Sequence, residues 1–172
     1  MRPIIAVDVD LTVVDTLTSW VSWYRKLTGH DILDDLSSYQ YRIEDIMEKH
    51  KDPLEYWRKP DLYDELIPIK GSQYYLKQLS VDFDIIFVSH CFPEHITSKE
   101  YFLQRNFPFH KGFISTQHKE YIKCDYFIDD YSKYFDKVKE IQGAECLLFG
   151  TDLKQDQETY NWEEIYYKIK GN

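Results

Sequence analysis

Short apolar runs alternate with amphipathic segments along most of this 172-residue chain. Compact apolar runs, of the kind that form buried strands, lie at about 3–8, 83–88, 112–115, 125–128 and 144–149. Helical spacing or helix start and stop signals mark the segments 16–28, 43–50, 53–58, 72–80, 94–106, 132–142 and the end of 151–172. Strands that alternate with helices predict an α/β fold: a Rossmann-like central parallel sheet of about five strands, flanked by helices.

The net charge and the aromatic content indicate which kinds of molecule the protein binds. The formal net charge is −9, which argues against binding to long nucleic acids, because that needs a basic surface. A small phosphorylated substrate stays compatible with this charge if a divalent cation balances the site. Aromatic residues make up 17% of the chain and offer flat surfaces able to stack on a ring.

Cysteine usage and hydropathy predict a cytoplasmic protein. The three cysteines form no recognisable pattern, and an odd number fits reduced thiols. The N-terminal segment meets Asp8 too early for a signal peptide, and no apolar run approaches the length of a membrane span. We therefore expect no membrane partner, and a homodimer is compatible with the sequence.

Polar side chains follow three of the predicted strands. The segment 8–12, Asp-Val-Asp-Leu-Thr, ends the first, Ser89 follows the second, and Asp129 and Asp130 end the fourth. Lys119 lies just before that fourth strand. In a parallel sheet these groups gather at one edge, where ligands of open α/β sheets bind. Carboxylates suit a hard ion such as Mg²⁺, and a hydroxyl and an ammonium suit phosphate oxygens.

These groups occur in the order of the four motifs of the haloacid dehalogenase (HAD)-type phosphatases, and the chain resembles that superfamily over nearly its whole length. Within the superfamily it looks most like the 5′(3′)-deoxyribonucleotidases. The segments that carry this closer resemblance are Asp15, 68–71, 83–89, 99–103, 106–108 and 119–130.

The resemblance implies roles for individual residues. Asp8 would be the nucleophile that forms an aspartyl-phosphate. Asp10 would protonate the leaving alcohol and then activate water. Ser89 and the backbone N–H of His90 would hold the phosphoryl oxygens, and Lys119 would neutralise their charge and orient the nucleophile.

The resemblance also implies a magnesium site. Asp8, the backbone carbonyl of Asp10, and Asp129 would hold Mg²⁺, with Asp130 supporting it through water or a hydrogen bond. The chain departs from the family at Leu11, where these nucleotidases usually carry glycine. Leucine restricts the backbone and adds bulk beside the nucleophile, so it affects how the substrate fits.

The insert between the first and second strands sits where the superfamily places a helical cap. The domains implied are an α/β core formed by 1–15 and 68–172, and a small helical cap formed by 16–67. An aromatic lid could stack on a nucleobase and exclude water when it closes. The first candidates for substrate contact in the cap are Trp23, Tyr24 and Trp57.

The function expected is that of a Mg²⁺-dependent phosphomonoesterase acting on deoxyribonucleoside monophosphates. One alternative keeps the chemistry and changes the substrate to another small phosphometabolite or a nucleic-acid 3′-phosphate. Another is a catalytically silent module that binds a nucleotide or a partner, although the intact pair Asp8 and Asp10 argues against it. A zinc site at His90, Cys91 and His95 is discounted, because a proline interrupts them and a fourth ligand is missing.

Overall fold

Five parallel strands form the central sheet of the computed structural model, which describes residues 2–29, 53–151 and 157–171. The strands are β1 (Ile4–Val7), β2 (Asp84–Ser89), β3 (Gly112–Ser115), β4 (Tyr126–Asp129) and β5 (Glu145–Leu148). Their order is β3-β2-β1-β4-β5, and all neighbours pair in parallel. The predicted α/β fold is confirmed, and every predicted strand boundary lies within one residue of the observed one.

In the described part of the chain, four helices lie between strands and a fifth follows the last strand. They are α1 (Thr16–Thr28), α2 (Ser72–Leu79), α3 (Ile96–Asn106), α4 (Phe135–Gln142) and α5 (Trp162–Lys170). The predicted helix at 94–106 opens with a 3₁₀ turn at Pro93–His95, and the one at 132–142 opens with a 3₁₀ turn at Ser132–Tyr134. The segment Pro53–Arg58 is a 3₁₀ helix, and the predicted helix at 43–50 lies outside the described residues.

The ends of α1 show how the sequence sets this element. The Asp15 carboxylate accepts a hydrogen bond from the backbone N–H of Thr18 at 3.0 Å, which satisfies one of the free donors of the first turn. Gly29 ends the helix in the left-handed conformation, with φ of 73°, which glycine adopts without steric cost. The first residue of α1 therefore follows directly on the loop that carries Asp8 and Asp10.

Two layers of core cover the two faces of the sheet. Along β1, Ile5 and Val7 belong to one buried cluster, and Ala6 between them belongs to the other. This alternation follows from the two-residue period of a strand. Because β1 is central and buried on both faces, it reads as a continuous apolar run in the sequence.

The described part of the insert packs on the sheet. Trp20 and Tyr24 of α1, together with Tyr63, lie in the same buried cluster as Ile5 and Val7. The division into a core and a cap stays a prediction, and this part of residues 16–67 shares the core of the sheet. Across the described ranges, no helix has the length and apolar character needed to cross a membrane.

Candidate active site

The carboxyl ends of the three central strands bring the predicted site residues together. Asp8 follows β1, Ser89 ends β2 and Asp129 ends β4, and β1 pairs with both of the other strands. All three side chains lie on the wall of one cavity and are almost completely buried, with Asp8 5%, Ser89 1% and Asp129 1% exposed. The parallel topology is therefore what assembles this site from distant parts of the chain.

Lys119 lies between two of the carboxylates. It begins the 3₁₀ turn Lys119–Tyr121, and its Nζ is 2.6 Å from Asp8 Oδ1 and 2.7 Å from Asp129 Oδ2. Burial lowers the pKa of this ammonium, but the charges of Asp129 and Asp8 outweigh that effect and raise it above its usual value. Lys119 is therefore a fixed positive charge beside the predicted nucleophile.

Three buried carboxylates form a candidate metal centre. Asp8, Asp129 and Asp130 each offer an oxygen, and these oxygens lie within 4.8 Å of one another. Burial raises the pKa of Asp8 to about 7, and Asp129 and Asp10 add to this effect while Lys119 opposes it. Burial and the charge of Asp8 also raise the pKa of Asp130 well above its usual value. A hard divalent cation bound between these oxygens would stabilise the ionised carboxylates, so the cluster is a suitable site for such an ion.

The carboxylate of Asp10 faces different partners. Its Oδ1 accepts a hydrogen bond from the Tyr63 hydroxyl at 2.6 Å, and its Oδ2 accepts one from Lys99 Nζ at 2.6 Å and one from Ser89 Oγ at 3.2 Å. Burial raises the pKa of Asp10, but the ammonium of Lys99 and the hydrogen bonds outweigh this and lower it overall. Lys99 and Tyr63, for which the sequence predicts no role in the chemistry, both contact the predicted acid/base.

Residues far along the sequence hold the loop 8–12 in place. Thr12 Oγ1 donates a hydrogen bond to Asp130 Oδ1 at 3.2 Å, and the Thr12 carbonyl accepts one from the Trp162 indole at 3.0 Å. Leu11 adopts φ of 59°, and among the described residues it is the non-glycine residue with a positive φ. The departure from glycine noted in the sequence thus falls on a left-handed backbone position.

We expect glycine to be more stable than alanine at position 11. Leu11→Gly and Leu11→Ala both remove the side chain, but only glycine adopts a positive φ without a clash. Thermal unfolding should give the glycine variant an advantage of about 1 kcal/mol over the alanine variant. Equal stabilities would mean that the loop does not hold this conformation in solution.

The cavity beside these residues has a volume of about 330 Å³ and a largely aromatic wall. Besides the acidic residues, Ser89 and Lys119, it is lined by Leu11, Thr16, Leu17, Trp20, Trp57, Tyr63, His90, Phe92, His95, Tyr131 and Tyr134. His95 turns its Nδ1 to the Trp57 carbonyl at 2.5 Å, which ties the turn at 93–95 to the insert. A pocket with charged groups at one end and rings along the wall suits a small molecule that is charged at one end.

The cap residues predicted to contact substrate fall into two groups. Trp57 lines the cavity, and so does Trp20, another aromatic residue of the insert. Trp23 and Tyr24 do not line it: Trp23 packs against Tyr56, and Tyr24 is fully buried in the core beside Trp20. The structure therefore gives no support for substrate contact by Trp23 or Tyr24.

Solved structures share this fold. A HAD-superfamily hydrolase from Ehrlichia chaffeensis superposes with a TM-score of 0.56 at 16% identity, covering 99% of this chain and 97% of that one. A HAD hydrolase from Bacillus subtilis, described as bound to magnesium, superposes with a TM-score of 0.60 at 14% identity, covering 98% of this chain and 99% of that one. At these identities the likeness concerns the fold.

Sequence comparison is more specific. Two proteins named 5′(3′)-deoxyribonucleotidase, from Bacillus subtilis strain 168 and from Bacillus phage SPbeta, are each 28% identical over 183 residues, spanning 98% of this chain and 99% of the relative. The family model for the "5′ nucleotidase, deoxy (Pyrimidine), cytosolic type C protein" matches residues 2–170. The chain therefore belongs to this nucleotidase family of HAD-type hydrolases.

Proposed function

We propose that this chain is a Mg²⁺-dependent phosphomonoesterase that dephosphorylates deoxyribonucleoside monophosphates through an aspartyl-phosphate on Asp8. The observation that carries the proposal is the buried carboxylate of Asp8, held at 2.6 Å by Lys119 at the charged end of an aromatic cavity. Membership of the nucleotidase family supports the phosphate monoester as substrate, and the names of the two bacterial and phage relatives support the deoxynucleotide.

In the first half of the proposed reaction, a carboxylate oxygen of Asp8 attacks phosphorus. The bond from phosphorus to the ester oxygen breaks, and Asp10 gives its proton to that oxygen, so a nucleoside leaves. Ser89 Oγ and the backbone N–H of His90 donate hydrogen bonds to the phosphoryl oxygens. Lys119 stabilises the negative charge that they gain in the transition state.

In the second half, water attacks phosphorus in the aspartyl-phosphate. Asp10, now ionised, takes the proton of this water, and the bond from phosphorus to the Asp8 oxygen breaks. Asp8 is restored as a carboxylate and inorganic phosphate leaves. The proton that Asp10 takes from water is the one that it gives to the ester oxygen in the next turnover, and the lowered pKa of Asp10 makes that proton easy to donate.

The residues present fit a magnesium ion. Asp8 and Asp129 would hold it together with the backbone carbonyl of Asp10, and Asp130 would support it, because these oxygens supply the ligands that Mg²⁺ prefers. When bound, the ion supplies positive charge that keeps the Asp8 carboxylate ionised and draws electrons from the phosphoryl group. Burial, together with the neighbouring carboxylates, raises the pKa values of Asp8 and Asp130, and a cation bound between these groups would offset both effects.

A panel of substrates tests the proposal. Phosphate release is measured from 5′- and 3′-monophosphates of deoxy- and ribonucleosides, from a small sugar phosphate, from a 3′-phosphorylated oligonucleotide, and from an aryl phosphate with and without Mg²⁺. The proposal expects the highest kcat/KM on a deoxyribonucleoside monophosphate. A higher kcat/KM on the sugar phosphate or the oligonucleotide would mean that one of these, and not a deoxynucleotide, is the class of substrate. If no ester is hydrolysed, the chain is better described as a binding module than as an enzyme.

Trp57 should contribute to nucleotide selection. Its ring lines the cavity and is half-buried, so replacement by alanine removes a stacking surface while the backbone carbonyl that holds His95 remains. Stacking on a base is worth about 1–3 kcal/mol, which corresponds to roughly tenfold to a hundredfold in affinity. We expect Trp57→Ala to raise KM for a deoxynucleotide within this range and to leave hydrolysis of an aryl phosphate within a few-fold.

Trp23→Ala is the matched comparison for that experiment. It deletes the same side chain from the same insert, but Trp23 packs against Tyr56 and lies beside Lys59 instead of lining the cavity. The ratio of kcat/KM for nucleotide to kcat/KM for aryl phosphate should change in the Trp57 variant alone. If both variants leave the ratio within about threefold, stacking on the base is not how this chain selects nucleotides.

A further inference from the structure

Lys99 is a fully buried lysine to which the proposed chemistry assigns no part. It lies on α3, is 0% exposed, and places Nζ 2.6 Å from Asp10 Oδ2 and 2.8 Å from Ser89 Oγ. An ammonium away from water is costly unless excellent partners compensate it, and a buried ion pair is weak evidence of a stabilising role. Its partners here are the two side chains proposed to move the proton and to bind the phosphoryl group.

We propose that Lys99 is a positioning residue, which holds Asp10 and Ser89 in the geometry that hydrolysis of the aspartyl-phosphate requires. The inference rests on the proposed function of Asp8 and Asp10. In this scheme Lys99 touches neither the substrate nor the attacking water, and it acts through the Asp10 carboxylate and the Ser89 hydroxyl that it contacts. It fixes the carboxylate that takes the proton of the attacking water and the hydroxyl that holds a phosphoryl oxygen.

Tyr63 completes this arrangement from the opposite side. Its hydroxyl donates to the second oxygen of Asp10 at 2.6 Å, and Lys99 Nζ lies 4.8 Å from the centre of its ring. With a donor on each oxygen, the carboxylate cannot rotate without losing a short hydrogen bond. The ring in turn covers the ammonium and contributes a cation–π contact.

One helix positions both donors. Lys99 projects from α3 directly, and the preceding residue, Ser98, accepts a hydrogen bond from the backbone N–H of Tyr63 at 3.0 Å. Ser98 also donates to Asp64 Oδ1 at 2.7 Å. Helix α3 therefore sets the position of Lys99 and of the loop that carries Tyr63, and so the orientation of Asp10.

The two buried lysines of the site divide the work. Lys119 binds Asp8 and Asp129, the predicted nucleophile and a predicted metal ligand, whereas Lys99 binds Asp10 and Ser89. When a phosphoryl oxygen arrives, the Ser89 hydroxyl can turn its hydrogen from Asp10 to that oxygen, because Lys99 still holds the hydroxyl oxygen. Asp10 keeps its bonds to Lys99 and Tyr63 and stays in place for the water.

Lys99→Met tests this role with an aryl phosphate and Mg²⁺. The aryl group leaves as a phenolate that needs no proton, so kcat/KM, which covers the steps up to formation of the aspartyl-phosphate, should stay within about tenfold. Hydrolysis of that intermediate needs Asp10 to accept a proton, so kcat should fall about a hundredfold and KM with it. Rapid mixing should show a burst of phenol of about one equivalent per active site.

Tyr63→Phe is the second variant, since it removes one hydrogen bond and retains the ring in the core. It should show the same split between kcat and kcat/KM, with a smaller loss of about tenfold in kcat. The matched control is Lys77→Met on the exposed face of α2, which should change neither constant. Thermal melts establish that each variant folds, and Tyr63→Phe decides the matter if Lys99→Met does not.

Parallel losses in kcat and kcat/KM without a burst would overturn the inference, because a purely structural lysine would lower both constants together. The proposed function fails separately. If the wild-type protein cleaves the aryl phosphate but no deoxynucleotide, the proposed substrate is wrong, and the test of Lys99 with the aryl phosphate remains valid. Wild-type protein that cleaves neither ester overturns both.

Discussion

Replacing Asp8 with asparagine should abolish phosphatase activity and leave the metal-free protein at least as stable as the wild type. Asparagine keeps the shape of the side chain but is a poor nucleophile, so no aspartyl-phosphate forms. Lys119 retains its bond to Asp129 at 2.7 Å, so the ammonium stays paired. The substitution also removes one of three crowded carboxylates, whose mutual repulsion works against the fold.

The stability difference should grow with pH. Burial raises the pKa of Asp8 to about 7 from an ordinary value of 3.8, so between these values the folded protein holds a proton that the unfolded chain has lost. The wild type without metal therefore loses stability as the pH rises towards 7, and the Asp8→Asn variant lacks this loss. Melting temperatures at pH 5 and pH 8 in chelator measure the effect.

Two results would contradict this prediction. Activity above about one hundredth of the wild-type kcat/KM in Asp8→Asn would exclude the covalent mechanism proposed for Asp8. A variant that is less stable than the wild type at pH 8, with no metal present, would show that the Asp8 carboxylate is balanced within the protein, and it would weaken the case for a cation.

The sheet edge could be predicted because its cause is local in sequence. Each central strand is an apolar run that ends abruptly in a polar residue, and parallel pairing then places Asp8, Ser89 and Asp129 side by side. Lys119 is harder to predict, because other lysines lie nearby in the sequence. Only the number of residues between Lys119 and Asp129 distinguishes it from them. Its contacts with both Asp8 and Asp129 depend on tertiary structure.

The contacts of Lys99 and Tyr63 with Asp10 could not be predicted from the sequence. Lys99 lies on the buried face of α3 with Phe102 and Leu103, three and four residues further on. A lysine in the apolar stripe of a helix is a signal of a buried charge that needs a partner, but the stripe does not identify the partner. Tyr63 lies in the insert, 53 residues from Asp10, and no periodicity links the two.

For the aromatic residues of α1, helical spacing predicts which side chains are buried but not which ones face the cavity. Helical spacing places Trp20, Val21 and Tyr24 on one stripe, and the structure buries all three. Tyr24 could therefore have been assigned to the core from its position in this stripe rather than to the substrate. Trp23 lies off the stripe, and the side of the insert that faces the cavity is set by how α1 packs on the sheet, which the sequence alone does not define.

Removing divalent metal should abolish turnover, and adding Mg²⁺ should restore it and raise the melting temperature. Asp8, Asp129 and Asp130 place buried carboxylate oxygens within 4.8 Å of one another, so a bound cation relieves repulsion in the folded state only. At a concentration about a hundredfold above Kd, binding adds about 2.7 kcal/mol to the free energy of unfolding. For a domain of this size that is a rise of roughly 5–10 °C.

The rise in melting temperature separates binding from catalysis. Ca²⁺ should also stabilise the protein but support little turnover, because its longer and looser coordination misplaces Asp8 relative to phosphorus. Asp130→Asn should reduce the Mg²⁺-dependent rise, whereas Asp136→Asn, an exposed carboxylate on α4, should leave it unchanged. Full activity after exhaustive chelation would contradict the metal dependence, and an equal rise in all three proteins would place the metal outside this cluster. Without a metal in the cluster, the positive charge beside Asp8 in the proposed chemistry would have to come from Lys119, because the ammonium of Lys99 is held against Asp10 and Ser89.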